Sequence, residues 1–85
     1  MAKSQHTPEN TLLRQLLINA REGRKITQAS LAAALGKPQS FIAKIEVGER
    51  RLDVLEFCAI VRALGLDPLM LLGNLLSALP ERFDI

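Results

Sequence analysis

Tryptophan and tyrosine are absent, and three phenylalanines are the only aromatic residues among 85. Any core built from this sequence is therefore aliphatic. A single cysteine excludes an internal disulfide and gives no argument for secretion. The only histidine, His6, lies in a polar N-terminal stretch expected to fray, a poor place for a general base. His6 and Cys58 stand 52 positions apart, so they do not form the clustered ligand set of a metal site. The five glycines are scattered at the ends of elements, and none builds a phosphate-cradling loop. The sequence thus predicts neither an enzyme nor a bound metal or cofactor.

Long apolar runs are missing as well. The leucine-rich C-terminal segment is interrupted by Asp67, Pro68, Gly73 and Asn74, which argues against a membrane span. Residues 1–7 are polar and lack the apolar stretch of a signal peptide, so a cytoplasmic location is expected. Apolar residues still make up 48% and charged residues 24%, a globular balance. Eighty-five residues suit one domain. A domain that small hides only about 60% of its unfolded surface, and a partner subunit would add to its stability.

Charge is unevenly spread. Residues 1–51 carry nine Lys/Arg against four Glu, and residues 52–85 carry two Arg against five acids. A basic half beside an acidic half suits one face turned to a polyanion, although two ordinary solvated faces give the same count.

The chain reads as five short helices and no strand. Thr7-Pro8-Glu9 supplies a capping hydroxyl, a proline at the first helical position and an acid against the helix dipole. Leu13, Leu16, Leu17 and Ala20 follow at helical spacing, with Gly23 expected in the left-handed closing position, which gives a helix over about 8–22. Thr27 caps a second helix over 28–35 that ends at Gly36. Pro38 opens a third to Val47, closed by Gly48. Asp53 caps a fourth to Leu64, and Asp67-Pro68 starts a fifth that runs to about Leu79. The expected layout is a flexible tail over 1–7, one domain over 8–79 and a C-terminal tail over 80–85.

Helices two and three are too short to be stable alone. A tight turn at Gly36 makes them cross closely, and Ala32 offers the small side chain a close crossing needs. Leu31, Leu35, Ile42 and Ile45 are placed to hold the pair against the first helix. This is the pattern of a helix-turn-helix, over 28–47, whose second helix enters the DNA major groove; a plain helical hairpin has nearly the same apolar pattern. On the third helix, Ile42, Ile45 and Glu46 share one face, while Ser40, Ala43, Lys44 and Val47 share the other with Gln39 beside them. Gln fits the N6/N7 edge of adenine, and Lys reaches guanine or a phosphate. A solvated surface would also carry Gln, Ser and Lys.

Thr27-Gln28, Leu31-Ala32, Gly36, Gln39-Ser40, Ile42, Ile45-Glu46 and Gly48-Glu49-Arg50, in register over five helices, resemble the Cro/CI-type or XRE family of helix-turn-helix regulators. The resemblance covers about residues 10–73 and implies an all-α, five-helix, lambda-repressor-like DNA-binding domain. It implies base contacts from Gln39, Ser40 and Lys44, and a phosphate contact from Gln28, which also braces the third helix. Arg50 and Arg51 in the following loop would pair with phosphates, with Lys25 and Lys37 adding longer-range attraction. It further implies a largely buried Arg21–Glu46 ion pair, consistent with Glu46 falling on the apolar face where an unpaired carboxylate is costly. Two positions depart from the family pattern: Pro38 stands where a capping Ser or Thr is frequent, and Lys37 where an apolar turn residue is usual. Phe41, at the flank of the third helix, suits half-buried packing or contact with a thymine methyl.

The C-terminal third holds more apolar residues than one small domain can bury. Val54, Phe57, Cys58, Val61, Leu64, Leu66 and Leu72 are expected in the core. Leu55, Leu69, Met70, Leu75, Leu76, Leu79 and Phe83 are left for an interface. The resulting expectation is a homodimeric, sequence-specific double-stranded DNA-binding regulator, a repressor, acting on an inverted-repeat operator. The rival is an antitoxin-like or adaptor protein whose leucine-rich C-terminal face binds another protein.

Overall fold

The computed structural model describes residues 6–85, so the tail expected at 1–7 lies outside the described residues apart from His6 and Thr7. Five helices follow in order: α1 (Pro8–Gly23), α2 (Gln28–Ala34), α3 (Gln39–Val47), α4 (Val54–Ala63) and α5 (Pro68–Ala78). No strand occurs among the described residues.

Four of the five starts carry a side-chain cap, which satisfies amide groups that have no partner inside the helix. Thr7 accepts from the Asn10 amide at 3.2 Å, Thr27 from Ser30 at 3.0 Å and Asp67 from Leu69 at 3.0 Å. Asp53 accepts from the Glu56 amide at 2.7 Å while Glu56 accepts from the Asp53 amide at 3.0 Å, a reciprocal capping box. Pro38 precedes α3 with no side-chain cap, so that helix begins at Gln39.

The end of α1 differs from the expectation. Gly23 is its last helical residue, and Lys25 takes the left-handed conformation at φ +58°. The Lys25 amide bonds to the Glu22 carbonyl at 2.9 Å and the Ile26 amide to the Arg21 carbonyl at 3.2 Å. That pair of bonds closes a helix and sets an apolar residue directly after the left-handed one. Ile26 packs against the core, and closure at Lys25 is what delivers it there.

The core is aliphatic apart from Phe57 and sits where all five helices meet. Leu17 enters from α1, Leu31 and Ala32 from α2, Ile42 and Ile45 from α3. Phe57, Ile60 and Val61 enter from α4, Leu64 follows it, and Leu71 comes from α5. Burying each large aliphatic side chain contributes about 1.5–3 kcal/mol. Ala32 is 1% exposed at the α2–α3 crossing, where a larger side chain would push the helices apart.

Two expected core residues lie outside. Val54 is 75% exposed because it stands at the first position of α4, where no neighbouring helix covers it. Leu72 is 40% exposed because it belongs to the outer stripe of α5, one turn from Leu69 and from Leu76. Ile60 and Leu71 occupy the core in their place.

Candidate nucleic-acid interface

α2 and α3 are joined by residues 35–38, with Gly36 at φ +69° making the turn. Ile42 and Ile45 anchor one side of α3 in the core. Gln39, Ser40 and Lys44 are exposed on the outward side, as the 3.6-residue helical period requires.

The inner polar edge of α3 is tied to α1 and α2. Arg21 donates from Nε to Glu46 Oε2 at 2.7 Å and from Nη2 to Glu46 Oε1 at 3.1 Å. The two side chains are only 11% and 9% exposed. Arg21 Nη1 also donates to the Ile26 carbonyl at 2.8 Å, which fixes the guanidinium from a second side. Gln28, at the first position of α2, donates from Nε2 to Glu46 Oε1 at 2.7 Å. Gln39 Nε2 then donates to Gln28 Oε1 at 3.3 Å. A continuous chain of hydrogen bonds therefore runs from the late part of α1, through α3 and α2, to the first residue of α3.

The loop after α3 carries a second cluster. Gly48 closes the helix at φ +85°. Arg50 donates to both oxygens of Glu56, at 2.9 and 2.7 Å, and to the Arg51 carbonyl at 2.8 Å. Its guanidinium lies 4.6 Å from the centroid of the half-buried Phe41 ring, and Lys37 Nζ lies 5.4 Å from the same ring. The ring thus takes two cations, an arrangement favoured by its negative face. The Arg50 hydrogen bonds, followed by the Asp53 backbone amide, pull the Glu56 carboxyl down to about 2.

Arg50 therefore faces Glu56 and Phe41, although it was expected to turn to phosphate. Lys25, Lys37 and Arg51 are exposed, and Gln28 is half-buried beneath Gln39. Glu56 and the Phe41 stack were not singled out in the sequence. The Asp53-x-x-Glu56 spacing of a capping box was the available signal for Glu56. No sequence signal pairs Arg50 with Glu56 across the loop.

Elsewhere on the surface, Leu69, Leu72 and Leu76 form an exposed stripe along α5, with Val54 and Leu55 exposed at the start of α4. Between α4 and α5 lies an apolar groove of about 460 Å³ lined by Leu52, Phe57, Cys58, Leu69, Leu72 and Leu75 among others, with Asp53, Arg62 and Asp67 also contributing. Met70 is exposed but stands about 160° round the helix from Leu72, off this stripe. Leu75 and Leu79 are half-buried and, with Phe83, line a second groove between α1 and the C-terminal residues. Among the described residues, no His/Cys/Asp/Glu cluster of metal-binding size occurs, and no helix is long and apolar enough to cross a membrane.

A helix-turn-helix family model matches residues 17–71, from the middle of α1 into α5. Among solved structures, the chain is similar to an XRE-family like protein from Pseudomonas syringae pv. tomato str. DC3000. The two are 47% identical with a TM-score of 0.83, over 92% of this chain and 95% of that one. No curated protein matches the chain. The match spans the α2–α3 pair and the core that holds it, and the chain belongs to the XRE-type helix-turn-helix family of DNA-binding regulators.

Proposed function

We propose that the protein is a homodimeric transcriptional repressor that reads an inverted-repeat operator through α3. The observation that carries this reading is the outward display of Gln39, Ser40 and Lys44 on a helix whose inner edge is fixed by the Arg21–Glu46–Gln28 bonds. Base reading needs side chains held in register, and a helix pinned at both its apolar and its polar inner edges meets that need. Gln28, Lys25, Lys37 and Arg51 attract the phosphates, and Arg50 joins them by exchanging Glu56 for a phosphate oxygen. Phosphate contacts set position and the three outward residues of α3 set sequence. The exposed Leu55, Leu69 and Leu76, beside the apolar groove, support a two-fold partner that sets two copies of α3 about 34 Å apart. Occupancy of an operator by such a dimer represses by excluding other proteins from the same DNA.

The test is selection of randomised duplex DNA on the purified protein at near-physiological salt, followed by sequencing. An enriched inverted repeat with half-sites one turn apart is the expected result. An enriched single half-site keeps the DNA reading and removes the dimer. A reporter gene placed behind the enriched site is expected to lose transcription when the protein is present; a gain would make it an activator.

A second reading rests on the same apolar groove. In it, an antitoxin-like or adaptor role has another protein covering α4 and α5. Gln39→Ala with Lys44→Ala is then expected to abolish specific DNA binding and leave that protein bound.

A further inference from the structure

A carboxylate accepts hydrogen bonds and donates none. Glu46 therefore fixes more than the position of its neighbours: it fixes the direction of every bond in the chain that leads outward from it. Gln28 must turn its Nε2 towards Glu46 Oε1, where it lies at 2.7 Å. Its Oε1 is then the atom left for Gln39, and Gln39 must approach with Nε2, which it does at 3.3 Å. An amide end that would otherwise rotate freely between two faces is thereby held in one of them.

Amide orientation matters at a base edge. With one Nε2 hydrogen committed to Gln28, Gln39 presents its second N–H and its Oε1 outward in a set order. That order matches adenine, whose N7 accepts and whose N6 donates. The flipped amide would set oxygen against N7 and N–H against N6, two mismatches. Guanine offers two acceptors along the same edge and fits neither order fully.

We propose that Glu46 is a positioning residue for base recognition, setting the amide polarity of Gln39 through Gln28 and so its preference for adenine. This rests on the reading of α3 as the base-contacting helix. Glu46 touches no DNA; its effect passes along two hydrogen bonds. The Arg21 guanidinium donates to both oxygens of the carboxylate and holds it in place beneath Gln28.

The experiment is the same selection from randomised duplex DNA, run on the full chain and three variants. Gln39→Ala first identifies the base pair under Gln39 as the one whose preference disappears. Glu46→Gln then replaces the carboxylate with an amide that can turn either an oxygen or an N–H towards Gln28. Gln28→Ala removes the relay and leaves the Arg21–Glu46 pair intact. In both, the preference for adenine at that pair is expected to fall about tenfold or more, while preferences at pairs read by Ser40 and Lys44 persist. A folded Glu46→Gln that keeps the adenine preference overturns the proposal, as does a uniform loss across all positions, which marks a structural role alone. Where Glu46→Gln does not fold, a Gln28→Ala that keeps the adenine preference overturns the proposal, because Glu46 reaches Gln39 only through Gln28. A wild-type chain that enriches no sequence overturns the reading of α3 itself, and the proposal falls with it.

Discussion

Arg24 donates from Nε to the Leu64 carbonyl at 2.9 Å, tying the end of α1 to the end of α4 across 40 residues of sequence. The guanidinium crosses directly over Gly65, where a Cβ would stand 2.8 Å from Arg24 Nη2. Gly65 also sits at φ +78°. The position therefore combines a backbone demand with a demand for empty space, and both helices depend on it.

Gly65→Ala is expected to destabilise the fold by about 2–3 kcal/mol, from the left-handed backbone and the displaced Arg24 bond together. Gly36→Ala, at φ +69° with open space around it, is expected to cost only the backbone part, about 1–2 kcal/mol. The difference between the two is expected to vanish in an Arg24→Ala background. Urea denaturation of the four variants and the parent measures this; an unchanged difference would show that Arg24 does not contribute.

Lys25 at φ +58° occupies the place that glycine usually takes. Lys25→Gly is expected to stabilise the protein by about 1 kcal/mol, since the left-handed penalty disappears. The same change removes a cation proposed to attract phosphate. Its DNA affinity is therefore expected to fall, with the slope of log K against log salt reduced by about one or less. Opposite signs in thermal melting and DNA titration separate the two roles.

Glu46→Ala leaves Arg21 buried without its carboxylate and Gln28 without its acceptor. The expected loss is about 3–5 kcal/mol, a large share of the stability of a domain this size. Near-parental stability in guanidinium denaturation would remove the ion pair from the account of what holds α3.

The helices were legible because their punctuation is local. Threonine, aspartate and proline mark the starts, and Gly36, Gly48 and Gly65 mark ends at positive φ. The end of α1 was misread because two candidates, Gly23 and Lys25, compete there, and burial of Ile26 decides between them. That burial is a tertiary fact. The outward face of α3 followed from helical period alone, since Ile42 and Ile45 fix its rotation. The direction in which Arg50 turns was not legible. An arginine in a loop reaches phosphate, carboxylate or an aromatic ring equally well, and the nearby Glu56 and Phe41 settle it only once the chain is folded. Val54 and Leu72 were misplaced for a related reason: apolar residues on a short helix are buried only if a neighbouring helix covers their side.

The Arg50–Glu56 pair gives a pH signature. Glu56 has its carboxyl lowered to about 2 from an ordinary 4.5. Its contribution to stability is therefore complete above about pH 4.5 and is lost as pH falls towards 2. Because the pair is partly exposed, solvent screening reduces that contribution to about 1 kcal/mol. Glu56→Gln keeps an acceptor for the capping box and removes the charge. Its stability is expected to change less between pH 4.5 and 2 than that of the parent. If Arg50 exchanges Glu56 for phosphate, the same variant binds DNA more tightly and with a steeper salt dependence. Unchanged DNA binding would leave Arg50 as a structural residue.

Leu69 and Leu76 lie on the exposed stripe of α5, away from the core, so charged substitutions there spare the monomer. Leu69→Lys with Leu76→Lys is expected to keep the thermal midpoint of the isolated domain while abolishing self-association, giving a sedimenting species of 9.4 kDa. On DNA, the variant is expected to bind an inverted repeat no better than a single half-site, because coupling between the two copies of α3 is gone. A parent chain that already sediments at that mass and binds half-sites independently would move the stripe, and the groove beside it, to a partner other than a second copy. A dimer that survives both lysines would place the two-fold contact elsewhere, with Val54 and Leu55 at the start of α4 the next exposed apolar pair to change.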